Sequence, residues 1–345
     1  MTEIQAPQPP RDLRALPDPA DARATTEAIL FEVRRVIVGQ DAMLERILVG
    51  LLAGGHILLE GVPGLAKTLT IRTLSTVLGG SFKRIQFTPD LMPSDLVGTR
   101  IYRPDRAAFD TELGPVFANF LLADEINRAP AKVQSALLEV MQEHQVTIGH
   151  TTYAVPSPFI VLATENPIEA EGTYPLPEAQ LDRFMLKILL GYPSAAEEAQ
   201  IVSRSLHDGL PPREVLDADG LRTLQGRVDD VYVDPRIVSY AVGLVEATRR
   251  LAYWGAPDLE PYVAYGASPR GSINLIHGAR ALAVLRGRRY VLPSDVAELA
   301  PDVLRHRLVL SYGALTDGVT PDSVITRILA LVPAPQLDLA AEPTA

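Results

Sequence analysis

Residues 61 to 68 read GVPGLAKT and could bind the phosphates of a nucleotide. They keep the spacing of a phosphate-binding loop, G-x-x-x-x-G-K-[ST], except that Ala66 replaces the second glycine. In such a loop, successive backbone N–H groups converge on an anion together with the N-terminus of the next helix. We therefore predict that Lys67 reaches the β and γ phosphates and that Thr68 ligates Mg²⁺. Ala66 adds only a methyl group, so we expect an α-compatible backbone there that tolerates a Cβ.

Two adjacent acidic residues end the apolar stretch FLLADE. An acidic residue at the carboxyl end of a strand in a parallel sheet lies at the ligand-binding edge. At that edge Asp124 can hold the Mg²⁺ shell, and Glu125 can orient and deprotonate an attacking water. Many strands end at a solvated carboxylate, so this pattern is weak alone. Together with the phosphate loop it predicts nucleotide hydrolysis.

Three polar residues farther along could contact the γ-phosphate or the water. Asn166 follows the apolar run FIVLAT, although alone it is better explained as a turn residue before a proline. Arg183 lies in PEAQLDRF, and a lone arginine is usually an exposed ion-pair partner worth ~0–1 kcal/mol. A guanidinium on a transferring phosphoryl group, in contrast, contributes about 10³ to 10⁵ in rate. Arg270 lies in the first turn of a predicted helix, where a cation is unfavourable to the helix dipole, so its role is not helix stability.

A parallel sheet would bring these residues together. Short apolar runs alternate with segments of helical period up to about Tyr192. Continuous apolarity predicts strands that are covered on both faces, hence an α/β fold with a doubly wound parallel sheet. Two segments, Gly98 to Gly114 and His144 to Val155, predict β-hairpins inserted into this alternation. The predicted sheet strands are HILLE, FKRIQF, FLLAD, FIVLAT and FMLKILL.

The strand signal fades after this region and helical patterns follow. Ser194 and Glu197 form a capping box that begins the first of these helices, and Ser268 is the expected N-cap of a later one. We therefore predict a smaller all-helical lid domain. The predicted organisation is a disordered leader at 1–24, an α/β nucleotide-binding domain at 25–193, the lid at 194–332 and a disordered tail at 333–345.

Composition excludes several classes of protein. The 345 residues contain no cysteine, which excludes disulfides, thiolate metal sites and a cysteine nucleophile. The net charge is −10, so nucleic acid is not the expected partner. The six histidines lack metal-ligand spacing, so structural or surface roles are expected for them. Without a secretory signal or an apolar run of membrane-spanning length, we expect a cytoplasmic protein.

The order and spacing of seven motifs resemble those of an AAA+ ATPase, specifically one of the MoxR family. The resemblance covers about residues 35 to 310. The motifs are VGQDAMLERIL, GVPGLAKT, DLMPSDLVGT, GPVFANFLLADEINRAP, VMQEHQVTIG, ATENPIEAEGTYPLPEAQLDRF and GASPRG.

The resemblance implies a role for each matching residue. It makes Asn166 the sensor 1 residue, Arg183 an arginine finger that acts on a neighbouring subunit, and Arg270 the sensor 2 residue. The two hairpins correspond to inserts of this clade. Proteins of the clade often have an alanine at the position of Ala66 in the phosphate loop. Glu165 departs from the more usual glutamine and adds negative charge near the γ-phosphate region. Lys67 and Thr68 become the Walker A pair, and Asp124 and Glu125 the Walker B pair. The implied nucleotide contacts are Val38, Gly39, Gln40, Gly61, Val62, Pro63, Gly64, Leu65, Ala66, Lys67, Thr68 and Leu69.

The family further implies an ATP- and Mg²⁺-dependent, chaperone-like activity. It would mature or activate partner proteins, often ones with a von Willebrand factor A domain. If Arg183 serves a neighbour, head-to-tail contacts close a ring, which we expect to be a hexamer. Three alternatives remain open: a metal-chelatase ATPase subunit, a DNA-acting AAA+ motor, and a slow ATP-dependent binding switch. The motor is disfavoured because the hairpin at His144 to Val155 contains no lysine or arginine.

Overall fold

The computed structural model describes residues 19–167, 173–206 and 211–336. Its strands are β1 (Ile57–Glu60), β2 (Phe82–Gln86), β3 (Gly98–Arg103), β4 (Ala108–Leu113), β5 (Phe120–Asp124), β6 (Gln145–Ile148), β7 (Thr151–Ala154), β8 (Ile160–Glu165), β9 (Leu186–Leu189), β10 (Val263–Tyr265) and β11 (Val309–Leu310). Its α-helices are α1 (Pro19–Arg34), α2 (Asp41–Leu52), α3 (Lys67–Val77), α4 (Pro93–Val97), α5 (Ala131–Glu143), α6 (Glu178–Leu181), α7 (Ala195–Ser205), α8 (Ala218–Asp229), α9 (Pro235–Ala247), α10 (Pro269–Leu285), α11 (Pro293–Leu304), α12 (Tyr312–Thr316) and α13 (Pro321–Leu331).

The central sheet has five parallel strands in the order β2-β5-β8-β1-β9. All five predicted strands are present in it, so the predicted α/β fold is confirmed. The order differs from the chain order, and parallel strands are joined by crossovers that place helices on both faces. The register pairs Glu60 with Glu165 and Gln86 with Asp124, so the polar strand ends lie side by side at one edge.

Two hydrophobic clusters cover the two faces of this sheet. On one face Leu59, Leu122 and Leu162 pack with residues of α1, α2, α3 and the later helices. On the other face Leu121 and Val161 pack with residues of α4 and α5. Alternate residues of a strand point to opposite faces, so a continuously apolar strand serves both clusters.

Both predicted hairpins are present. β3 pairs antiparallel with β4, and β6 pairs antiparallel with β7. The two hairpins touch each other, since the Tyr153 hydroxyl donates to Thr111 Oγ1 at 3.3 Å.

The region after β9 is a helical lid from α7 to α13. The Ser194–Glu197 capping box begins α7, and the Ser268 side chain accepts a hydrogen bond from the Arg270 backbone N–H at the start of α10, both as predicted. The lid also contains a short antiparallel pair, β10 with β11, which sequence patterns do not reveal. Strands of two and three residues are too short to show a periodicity.

The predicted disordered ends lie mainly outside the described residues, at 1–18 and 337–345. The prediction is wrong for residues 19–24, because α1 begins at Pro19. Ala22 is buried in the core and Asp21 favours the first turn of the helix electrostatically, so this segment is ordered by packing. Among the helices of the described ranges, none is both long and apolar enough to span a bilayer.

Candidate functional site

The phosphate loop joins β1 to α3, which begins at Lys67. Gly64 has φ 88°, in the left-handed region that glycine adopts without steric cost. The Lys67 ammonium donates to the Gly61 carbonyl at 2.7 Å. Burial lowers the pKa of Lys67, while the charges of Asp124, Glu125 and Glu60 oppose that shift. The three carboxylates are therefore near enough to act on the lysine electrostatically, which associates the phosphate loop with the acidic pair.

The expectation for the Ala66 backbone is wrong. Ala66 has φ 55° and ψ 20°, which is left-handed rather than compatible with the right-handed helix that follows. A Cβ in this conformation costs about 1–2 kcal/mol. The loop thus retains the backbone of a glycine loop although residue 66 carries a Cβ.

A cavity of about 890 Å³ opens in front of this loop. It contains six of the predicted nucleotide-contacting residues and is walled by the end of α1 and by α7. Gly39 lies against the lid, because a Cβ there would be 2.2 Å from Glu197 Oε1. The predicted residues that line the cavity are Val38, Gln40, Gly64, Leu65, Ala66 and Leu69.

Several cavity residues were missed from the sequence. They come from separated segments of the chain and belong to no phosphate-binding motif. They are Arg35, Ile37, Pro193, Ile201 and Arg204. The Arg204 guanidinium donates to the carbonyls of Arg34 and Arg35, at 2.9 and 3.1 Å, and so joins α7 to the end of α1. The mostly apolar wall is of the kind that encloses a planar nucleobase.

The acidic pair follows β5, as predicted, and is held by residues of both neighbouring strands. Thr164 Oγ1 donates to Asp124 Oδ1 at 2.6 Å and accepts from the Glu125 backbone N–H at 2.8 Å. The Arg84 guanidinium donates to Asp124 Oδ2 through Nε at 3.1 Å and Nη2 at 2.7 Å. Thr164 and Arg84 were not predicted site residues, and only their strand neighbours could have indicated them.

Glu125 has a strained backbone and an occupied carboxylate. Its φ of 56° is in the left-handed region, which is rare for a residue with a long side chain. Its Oε2 accepts from Gln86 Nε2 at 2.7 Å and pairs with Arg128 Nε at 3.1 Å. Both contacts are made by one oxygen of the carboxylate, Oε2.

The predicted metal ligands offer the chemistry that Mg²⁺ prefers. Thr68 and Asp124 supply hard oxygen donors, and Asp124 is nearly buried, with 9% of the residue and 12% of its side chain exposed. Among the residues described here, no group of three or more His, Cys, Asp or Glu side chains could hold a metal ion by itself.

Glu165 and Asn166 lie at the end of β8, beside the phosphate loop. Asn166 is buried, with 4% exposed. Lys187 Nζ lies 2.6 Å from Glu60 Oε2 and 3.9 Å from Glu165 Oε2, so a cation accompanies the additional acidic charge. Burial raises the pKa of Glu165, and Lys187 opposes that shift. Lys187 on β9 therefore partly offsets the negative charge that Glu165 adds.

Among the described residues, neither Arg183 nor Arg270 lines the 890 Å³ cavity, and the same is true of Lys67, Asp124 and Glu125. Arg183 Nη1 donates to the Leu138 carbonyl of α5 at 2.8 Å. The carboxylate of the adjacent residue, Asp182, lies 3.6 Å from Arg270 Nη1 and accepts from Ser268 Oγ at 2.9 and 3.0 Å and from Arg307 Nε at 2.9 Å. Asp182 thus holds Arg270, whereas Arg183 is bonded to α5.

Comparison with known proteins gives concordant matches. A model of the ATPase family associated with various cellular activities (AAA) matches residues 56–186, and an AAA lid domain model matches residues 256–328. Chaperone MoxR1 of Mycobacterium tuberculosis is 58% identical over 91% of this chain and 83% of that protein. Protein MoxR of Methylorubrum extorquens is 32% identical over 93% of this chain and 97% of that protein. A solved structure from Cytophaga hutchinsonii superimposes with a TM-score of 0.88 and 47% identity, over 92% of this chain and 97% of that one.

Proposed function

Because this chain belongs to the MoxR family of AAA+ ATPases, we propose that it uses ATP hydrolysis to remodel, mature or activate partner proteins. The partners we propose are proteins with a von Willebrand factor A domain, as the family resemblance implies. We also propose a cytoplasmic location, where ATP is available, and a hexameric ring.

The proposed ring is supported by the family resemblance, in which an arginine at the position of Arg183 acts on the nucleotide of a neighbouring subunit. Within its own subunit, Arg183 donates to the Leu138 carbonyl at 2.8 Å, and Arg270 lies 3.6 Å from Asp182. If Arg183 reaches the γ-phosphate of a neighbour, the contacts between subunits are head-to-tail. Head-to-tail contacts of this kind close into rings.

Each residue of the proposed site has a role in phosphoryl transfer. The backbone N–H groups of Gly64 to Thr68 hold the phosphates, and Lys67 exchanges the Gly61 carbonyl for phosphate oxygens. Bound Mg²⁺, held by Thr68 and Asp124, would neutralise developing negative charge.

The remaining residues act on the water and on the transferred group. Glu125 accepts a proton from the attacking water, which Asn166 orients. Arg183 of an adjacent subunit stabilises charge on the transferred group, and so does Arg270, of the same or of an adjacent subunit.

The surface charges do not favour the DNA-motor alternative. In the β3–β4 hairpin, Arg103 lies 3.6 Å from Asp110, and Arg106 lies 3.6 Å from Asp105 and 3.9 Å from Asp110. These arginines are therefore paired with carboxylates, which lowers their attraction for phosphate. DNA should not stimulate ATP hydrolysis at physiological salt.

Mixing two inactive variants tests the trans-acting arrangement. Arg183→Ala subunits keep the phosphate loop, and Lys67→Ala subunits keep the arginine, so each alone should be nearly inactive. A mixed ring contains sites in which every catalytic part is present, and subunit exchange should restore a fraction of phosphate release. Arg327→Ala, an exposed arginine on α13, is the matched control and should behave as wild type.

Two outcomes would contradict the proposal. Full turnover by Arg183→Ala alone would make Arg183 an ordinary surface residue. Equal phosphate release by wild type and Glu125→Gln would remove the water-activating role of Glu125. Absence of rescue despite demonstrated exchange would point to a cis role or to strict ring cooperativity, which titration of wild-type subunits separates.

A further inference from the structure

The edge strand β2 places two polar side chains over the acidic pair. Arg84 and Gln86 are two residues apart, so they share one face of the strand. The register places Gln86 opposite Asp124 and Arg84 opposite Leu122 of β5. Neither residue belongs to the motifs that carry the proposed function.

The contact between Arg84 and Asp124 occupies one oxygen of the carboxylate. Both Arg84 donors go to Oδ2, and the other oxygen, Oδ1, accepts from Thr164. The Asp124 side chain is 12% exposed, whereas that of Arg84 is 48% exposed. The carboxylate is therefore fixed in the protein, and the guanidinium reaches it from solvent with room to withdraw.

We propose that Arg84 is an internal competitor for the metal: it occupies Asp124 in the nucleotide-free subunit and withdraws when Mg²⁺ and nucleotide bind. This inference rests on the proposed role of Asp124 as a holder of the Mg²⁺ shell. A guanidinium and a divalent cation beside the same carboxylate oxygen repel each other, so binding of one disfavours the other. Thr164 has no such conflict, since it is neutral and bonds the other oxygen.

Withdrawal of Arg84 also affects Glu125. Arg84 Nη2 donates to Gln86 Oε1 at 2.9 Å, and Gln86 Nε2 donates to Glu125 Oε2 at 2.7 Å. When Arg84 leaves, Gln86 loses the donor that fixes its amide and holds Glu125 less firmly. Arg84 is thus a positioning residue that couples metal arrival to the contact of Gln86 with the water-activating carboxylate, while Arg128 still pairs with the same oxygen.

The test measures binding of a fluorescent ADP derivative as Mg²⁺ is titrated, so hydrolysis does not contribute. Arg84→Gln should lower the half-saturating Mg²⁺ concentration about three- to tenfold, the range for loss of one half-exposed, charge-assisted competitor. Arg84→Lys keeps the charge but has no guanidinium fork, so its half-saturating Mg²⁺ concentration should lie between those of wild type and Arg84→Gln. Lys83→Gln removes a charge from the neighbouring, exposed position of the same strand and should match wild type.

Asp124→Asn distinguishes failure of this inference from failure of the proposed function. If Asp124→Asn leaves the Mg²⁺ dependence of ADP binding unchanged, Asp124 does not hold the metal. The proposed role of Asp124 and the competition by Arg84 are then both wrong. If Asp124→Asn weakens the Mg²⁺ dependence but Arg84→Gln behaves as wild type, or needs more Mg²⁺, competition by Arg84 is wrong. The effect of Arg84→Gln should also disappear in the Asp124→Asn background.

Discussion

Replacing Asp182 with asparagine should destabilise the fold, whereas replacing its partner Arg270 should impair catalysis alone. Within the described part of the chain, the Asp182 carboxylate pairs with Arg307, whose side chain is 1% exposed. Burial lowers the pKa of Arg307 to about 10, with Asp182 opposing that shift, so the guanidinium is still charged at pH 7. Asparagine keeps the shape of the side chain and removes the compensating charge.

The magnitude follows from the contacts that remain. Breaking a buried ion pair by removing one partner costs about 3–5 kcal/mol. Arg307 keeps carbonyl acceptors, including Phe184 O at 2.6 Å and Asp182 O at 3.0 Å, and these reduce the loss. We therefore expect Asp182→Asn to lower the free energy of unfolding by about 2–3 kcal/mol.

Arg270→Ala provides the contrast. Its guanidinium is 46% exposed and 3.6 Å from Asp182, so its removal should cost no more than about 1 kcal/mol. Phosphate release should nevertheless fall at least about tenfold, because the residue stabilises charge on the transferred group. The two variants therefore separate stability from catalysis at one carboxylate.

The assay is urea unfolding followed by the fluorescence of Trp254, the single tryptophan, together with phosphate release. Asp219→Asn, in an exposed pair with Arg222, is the control and should change stability by less than about 0.5 kcal/mol. An Asp182→Asn effect as small as that of the control would refute the argument from the buried guanidinium. Equal destabilisation by Arg270→Ala and Asp182→Asn would show that lost activity reflects misfolding.

Three further predictions concern the loop, the unusual glutamate and a buried histidine. Ala66→Gly should raise the free energy of unfolding by up to about 1 kcal/mol, measured in urea, because the left-handed backbone no longer carries a Cβ; a loss of stability would contradict this. Glu165→Gln should raise the melting temperature at pH 7 but not at acid pH, since burial raises the pKa of the carboxyl and disfavours its charged form; an equal gain at both pH values would contradict it. Burial lowers the pKa of His56 to about 4 in the folded protein, compared with 6.5 in the unfolded chain. The stability that neutral His56 contributes is therefore present above pH 6.5 and is lost as the pH falls from 6.5 towards 4. The stability difference between wild type and His56→Gln should therefore shrink by about 2 kcal/mol from pH 7 to pH 5, as measured by urea unfolding; a constant difference would show that His56 titrates normally.

Local patterns in the sequence determined the elements of the fold and the residues attached to their ends. The phosphate loop, the acidic pair after β5 and both hairpins are read from neighbouring residues, because turn chemistry and apolar periodicity act over a few positions. The capping box of Ser194 is likewise predicted from residues within one turn of each other. The left-handed backbone of Ala66 is an exception within a local motif, because the loop geometry overrides the preference of the residue.

Only the tertiary structure decided which side chains control that chemistry. Arg84 and Thr164 each lie 40 positions from Asp124, and the strand order rather than the chain order makes them its neighbours. Lys187 likewise reaches Glu60 because β9 lies beside β1. Contacts across parallel strands and between domains depend on crossovers and packing, which no short stretch of sequence encodes. The sequence therefore determined which groups do the proposed chemistry, and the fold decided which partners hold them.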